Sequence, residues 1–299
     1  MSDLVVSLQD FSSQDDERLD VLYEPVATSN LETIERPLTL FERLFSNGAV
    51  RKTLILLLLA CLWEAYGRML DNPLLFPTFG ATVRALAANI ADGELPQRVG
   101  VSLRVLLTGY VIGIGLATLL TVFAVATRFG RDLLETLTAM FNPLPAIALL
   151  PLALIWFGLG DGSLVFVLVH SVTWAVALNT HSGFSAVSNT LRMVGRNYDL
   201  RSFKYIRDIL IPAALPSILT GLKIGWAFAW RTLIAAELVF GASSESGGLG
   251  WFIFENKNNL SIPSVFAGLL TVILIGLFVE GFLFRILEQK TVQRWGMQT

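Results

Sequence analysis

The sequence predicts an all-α membrane protein with six transmembrane helices and both termini on the inner side. Three observations predict it. The 299 residues are 54% hydrophobic and only 15% charged, with a mean hydropathy of +0.62, whereas an average soluble domain is about a quarter charged. Six apolar stretches approach the roughly 20 residues that a membrane-crossing helix needs. Lys and Arg gather on alternate sides of those stretches, which sets the orientation.

Taken in order, the first fifty residues are acidic. Asp3, Asp10, Asp15, Asp16, Glu17, Asp20, Glu24, Glu32, Glu35 and Glu42 face only Arg18, Arg36 and Arg43. Such a segment reads as a solvated, flexible cytoplasmic tail. It has no basic start, apolar stretch and small-residue cleavage site of a signal peptide, so the first apolar run is expected to be retained. Residues 51–299 form the transmembrane domain, with spans expected at about 53–69, 101–126, 135–157, 163–182, 216–239 and 263–286. Cys61 stands alone in the first run, which excludes an internal disulfide and leaves it as an apolar filler.

Between the first two spans, Ala81 to Asp92 is helical in pattern but too short and polar to cross, and is expected to lie along the outer interface. The third and fourth spans are separated only by Gly158-Leu159-Gly160-Asp161-Gly162, a turn that makes them an antiparallel hairpin. Asn142-Pro143-Leu144-Pro145 interrupts the third span. Freed carbonyls there need neighbours or cavity water, so this span is expected to wall a cavity. With the N-terminus inside, the inner side holds Arg51, Lys52, Arg128, Arg131, Arg192, Arg196, Arg201, Lys204, Arg207, Arg285, Lys290 and Arg294, whereas the outer side holds Arg68, Arg84, Arg98 and Lys257.

The segment from Gly195 to Pro216 is the most informative. Leu200, Phe203, Ile206, Ile209 and Leu210 fall on one helical stripe, and Arg201, Lys204 and Asp208 on another. Pro212 and Pro216 break the pattern, so the chain is expected to leave this helix, turn, and enter the fifth span near Pro216. By pattern alone, a basic amphipathic helix at a membrane face rests on the lipid surface. No motor is encoded here. A phosphate-binding loop needs Gly-x-x-x-x-Gly-Lys-Ser/Thr, and the only lysines followed by Ser or Thr, Lys52 and Lys290, have no preceding glycine. Metal-binding His-Glu spacings, nucleophile elbows and clustered carboxylates are likewise missing from the sequence. Neither composition nor charge calls for nucleic acid.

Ionisable residues inside spans are costly, by about 3 kcal/mol on insertion scales, and mark candidate function. They are His170, Arg231 and Glu237. Arg231 offers forked donors to an anionic solute or is satisfied structurally; Glu237, near the outer end of its span, reads as a gate or structural group; His170 lines a path or packs. Asn142, Trp174, Trp226 and Trp230 complete the candidate path, with packing the alternative for the tryptophans.

The run Arg207 to Pro216 resembles the cytoplasmic loop of binding-protein-dependent ABC importer permeases, and specifically the nitrate/sulfonate/taurine group. Gly221-Leu222-Lys223-Ile224-Gly225-Trp226, Ile234-Ala235-Ala236-Glu237-Leu238, Gly247-Gly248-Leu249-Gly250, Val265-Phe266-Ala267-Gly268-Leu269 and Arg294-Trp295 continue the likeness over residues 55–296. Two positions depart from it: the family's Glu-Ala-Ala is replaced near Met193-Val194-Gly195, and its glycine by Asp199. The resemblance implies a type I ABC importer permease fold, with Asp199, Leu200, Arg201, Ser202, Phe203, Lys204, Tyr205, Ile206 and Arg207 as a coupling helix seated in a cytoplasmic ATPase. It implies ATP and Mg on that partner and no cofactor here. A periplasmic or lipid-anchored solute-binding protein, a second copy of the chain and a bacterial inner membrane are implied with it. An ion- or proton-coupled carrier is the competing expectation, against which stands the lack of duplicated halves with matching broken helices.

Overall fold

The computed structural model describes residues 48–200, 202–240 and 247–293, excluding the side chains of Arg196, Ser202, Phe203, Phe240, Val292 and Gln293. The acidic segment lies outside the described residues up to position 47. The chain divides into two units, Met1–Ile55 and Leu56–Thr299; the described part of the first, residues 48–55, is helical. Every regular element described is a helix: α1 Gly48–Leu70, α2 Phe79–Ala91, α3 Glu94–Ala126, α4 Arg128–Phe141, α5 Leu150–Phe157, α6 Asp161–Ser185, α7 Asn189–Asn197, α8 Ser202–Tyr205, α9 Ile211–Phe240, α10 Leu249–Asn258, α11 Ile262–Phe278 and α12 Arg285–Glu288, with 3-10 and π turns between some of them.

Among the described residues five helical stretches are long and apolar enough to cross a membrane, or six if one bent pair counts as a single span. Of α1 only Gly67 is buried. Leu56, Leu57, Leu58, Leu59 and Leu62 are exposed, as lipid-facing residues are. Toward its C-terminal end α1 holds the next segment: Trp63 Nε1 donates to Pro77 O at 2.9 Å, and Gly80 N at the start of α2 donates to Glu64 Oε2 at 2.9 Å. A carboxylate there complements the partial positive charge of a helix N-terminus. Thr78 caps α2 by accepting from Ala81 N at 3.1 Å.

The core lies where α6 runs between α3 and α9. Small residues bring these helices together, the usual device where apolar burial gives no drive between helices in lipid. A methyl group on Gly109 would stand 2.6 Å from Leu168 Cβ, and one on Gly113 would stand 2.7 Å from Val172 Cβ. On the other side of α6, one on Gly221 would stand 2.8 Å from Asn179 Cβ. Gly109→Val is therefore expected to lower stability by about 1–3 kcal/mol through overpacking, read as a reduced thermal-unfolding midpoint of the purified chain.

Three expectations are corrected. The third span is not one rod: α4 and the Ala146–Phe157 segment are bent by 89° at the Asn-Pro-Leu-Pro break. At 14 residues for the first and 12 for the second, about 21 and 18 Å, neither arm alone covers a 30 Å hydrocarbon core. The second span starts earlier than hydropathy suggested, at Glu94, with Pro96 in its first turn.

The break at Pro212 and Pro216 does not occur. α8 passes through a π turn at Ile206–Leu210 directly into α9, with Pro216 inside the helix. Ile211 N donates to Ile206 O, five residues back, so the wider turn shifts the bonding register just ahead of Pro212. Pro216 O accepts from Thr220 Oγ1 at 2.9 Å. Prolines are tolerated inside membrane helices because neighbours and side chains re-satisfy freed groups.

Candidate functional site

Where the bent pair turns, it leaves a cavity of about 360 Å³ against α6 and α9. The break supplies Phe141, Asn142 and Pro143–Ile147; α6 supplies His170, Ser171 and Trp174; α9 supplies Phe228, Arg231, Thr232 and Ala235. Four of the seven residues placed on the candidate path by sequence thus meet at one opening: Asn142, His170, Trp174 and Arg231. His170 is nine residues from the start of α6 and Arg231 eight from Val239, about 13 and 12 Å of helix rise. Both sit deep in their spans.

The walls combine aromatic faces with donors. Phe141 stacks on Trp174 with centroids 5.3 Å apart and planes inclined by 16°, and His170 meets both rings edge-on. Both ring nitrogens of His170 and Nε1 of Trp174 are buried without a protein partner. Ser171 Oγ and Thr232 Oγ1 lie 3.5 Å apart. Arg231 is exposed; its Nε donates to Ala227 O at 3.0 Å and its guanidinium lies 5.3 Å from the centroid of the Phe228 ring. No carboxylate lines the opening.

The other three candidates lie elsewhere. Trp226 and Trp230 are buried. Trp226 packs edge-on against Tyr110 at 5.4 Å, and Trp230 Nε1 donates to Val272 O at 3.3 Å. Glu237, 2% exposed, forms a latch. Its carboxylate accepts from Ser102 Oγ at 2.8 Å and from Gly250 N at 2.8 Å, while Ser102 Oγ accepts from Leu249 N at 2.8 Å. One buried acidic group thereby joins α3, α9 and the start of α10. Arg98 Nη2 to Glu255 Oε2, at 2.9 Å, joins α3 to the far end of α10. The glycine run serves close approach: a methyl on Gly250 would stand 2.6 Å from Glu237 Cβ, and one on Gly248 would fall on the Glu237 carboxylate. Sequence reasoning found Glu237 but not Ser102, an unremarkable serine in an apolar run 135 residues away.

The segment between α6 and α9 is a helical hairpin rather than one amphipathic helix. Its first arm is α7, Asn189–Asn197, and its second is the helix that starts at Ser202, with Asp199 in the turn between them. Its Leu191, Val194 and Tyr198 are exposed at helical spacing. Asp199, at φ 50°, takes the left-handed backbone that a glycine adopts without strain, so the turn survives the substitution. Beyond it the chain enters α8, where Ile206 is buried among Phe184, Val187, Leu210 and Ala214 while Lys204 and Arg207 are exposed. Tyr205 lies against Gly195, where a methyl would stand 2.9 Å from its ring. Arg201 and the side chains of Ser202 and Phe203 lie outside the described residues. Arg192 fixes the base of the hairpin: its Nη2 donates to Phe184 O at 2.7 Å and its Nε to Val187 O at 3.1 Å. This places a cation on the last carbonyls of α6, where the helix dipole favours it.

A multi-pass bundle of apolar helices around a donor-lined cavity, with a helical hairpin between two spans, is the architecture of an integral membrane protein with an opening among its spans. The chain belongs to the family described as binding-protein-dependent transport system inner membrane component, whose pattern it matches over residues 109–293. It is 27% identical to the putative aliphatic sulfonates transport permease protein SsuC of Bacillus subtilis, over 82% of this chain and 88% of that one. It is 28% identical to the nitrate import permease protein NrtB of Synechocystis, over 80% and 88%, and 28% identical to the taurine transport system permease protein TauC of Escherichia coli, over 75% and 82%. The chain is an ABC transporter permease of the nitrate/sulfonate/taurine group.

Proposed function

We propose that this permease forms the translocation path for a small anionic solute and couples its passage to a separate cytoplasmic ATPase. The carrying observation is the cavity: the unpartnered nitrogens of His170 and Trp174 and the exposed guanidinium of Arg231 line one opening deep in the spans, and no carboxylate stands among its described lining residues. Such a lining stabilises negative charge and disfavours cations. In this reading a solute-binding protein outside delivers the anion, and a second copy closes the path. The α7 hairpin, through residues 189–200 and on into Arg207, seats on the ATPase, which carries the ATP and Mg. Both termini are cytoplasmic and the membrane is the bacterial inner membrane.

Reconstitution tests it. Proteoliposomes holding the chain, an ATPase subunit and the binding protein are expected to accumulate a labelled sulfonate or nitrate only with internal ATP. Accumulation by the chain alone, driven by an ion gradient, would return the protein to the carrier class and overturn the proposal.

A further inference from the structure

Arg231 poses a problem that one chain does not solve. It belongs to a span and is exposed. Its Nε is held by Ala227 O of its own helix, and no protein acceptor among the described residues meets its terminal nitrogens. Acidic side chains of the bundle are engaged with other groups: Glu237 with Ser102 and Gly250, Asp161 with Arg104 at 3.1 Å, and Glu288 with Lys223 at 2.6 Å. Snorkelling to the headgroups serves long side chains near helix ends, and Arg231 is about 12 Å of helix rise from Val239. Lipid over this face would leave a guanidinium in hydrocarbon, which is unfavourable.

A second copy of the chain covers this face without lipid. A two-fold interface sets the same patch of both copies against each other, and where its axis passes beside the cavity mouth it brings a second Arg231 to the same opening. Two guanidiniums facing each other repel. An anion between them removes the repulsion and offers each fork a pair of oxygens to accept its parallel N–H groups. The stacked Phe141 and Trp174 of each copy then flank the body of the solute rather than its charge. Aromatic faces suit an organic body better than a bare inorganic ion.

We infer that Arg231 is half of a two-fold anion clamp: one organic oxyanion, a sulfonate or carboxylate, is held between the Arg231 residues of two copies, and neither copy holds it alone. The inference rests on the anion path proposed above.

Two measurements decide it. In a Cys61→Ser background, which removes the exposed native thiol, Arg231→Cys is expected to join two copies through a short bifunctional thiol reagent in most of the protein. Failure to join, where the variant is dimeric by size, overturns the clamp. In tandem-linked dimers with none, one or two Arg231→Gln substitutions, ethanesulfonate is the probe and thermal stabilisation the readout. A single substitution is expected to weaken the apparent affinity at least tenfold, nearly as much as two do. Half the amplitude at unchanged affinity would mean two independent sites and overturn the proposal. Arg231→Lys, which keeps the charge and loses the fork, is expected to fall between, and guards against a loss due only to misfolding. Nitrate binding as tightly as ethanesulfonate would remove the organic body from the inference. Absence of ATP-driven uptake by the unsubstituted chain with its ATPase and binding protein, while the cross-link and the affinities behave as stated, would instead count against the transport reading, so the two failures are distinguishable.

Discussion

Gly248→Ala is expected to be strongly destabilising for the addition of a single methyl. The backbone at Gly248, φ −96° and ψ −164°, is extended and acceptable to alanine, so the effect is steric. The new methyl falls on the Glu237 carboxylate and lies within 2.5 Å of Ser102 Oγ. Either the latch opens or α10 shifts. Overpacking a fitted site costs about 1–3 kcal/mol, and each buried donor left unpaired adds about 1–3 kcal/mol. A loss of about 3 kcal/mol or more is expected, visible as a drop in unfolding midpoint and in monodisperse yield. Gly115→Ala is the control, since a methyl there meets nothing within 4 Å; its effect is expected to stay within about 0.5 kcal/mol. Adding Glu237→Ala to Gly248→Ala removes the obstruction, so the double variant is expected to lose less than the sum of the singles. Strict additivity, measured as a double-mutant cycle, would place the damage elsewhere.

The second large effect concerns the hairpin. Leu191, Val194 and Tyr198 form an exposed apolar stripe on a helix held at its base by Arg192 and at its tip by Asp199. If the stripe seats on the ATPase, Leu191→Asp together with Val194→Asp places two charges in a closed apolar contact. ATP-driven uptake is expected to fall at least tenfold while the unfolding midpoint changes little, because neither side chain is buried in the chain itself. Unchanged uptake would free α7 of any docking role. Lys204→Ala, on the residue's exposed side of α8, is expected to act through charge alone and to weaken coupling more at low salt than at high salt.

The spans were legible in the sequence because lipid selects for hydropathy directly, and that is the property read along the chain. The cavity was half legible. Asn-Pro-Leu-Pro announced a break, and the rarity of charge in spans singled out Arg231 and His170. The 89° bend was not legible, because prolines mark where a helix can turn and not how far. The continuous path from α8 to α9 was missed for a related reason: proline rules drawn from water count the lost N–H as an end, whereas a π turn and a threonine hydroxyl re-satisfy the chain here. The latch shows the other limit. Ser102, Glu237 and Leu249 are brought together by packing across three helices, and no local spacing encodes their meeting.

The unbroken rod from Ser202 to Phe240 has a mechanical consequence. Glu237 pins it near its Phe240 end through the Ser102 and Gly250 hydrogen bonds, which makes that end a fulcrum. Ser202 lies 35 residues below the pin and Arg231 only six, about 52 and 9 Å of helix rise. A rigid swing about the pin therefore reaches the guanidinium reduced roughly sixfold: about 6 Å of travel at the Ser202 end becomes about 1 Å at Arg231. The rod is geared down, so if its Ser202 end is the one that is driven, large strokes there become fine adjustments at the cavity that Arg231 lines.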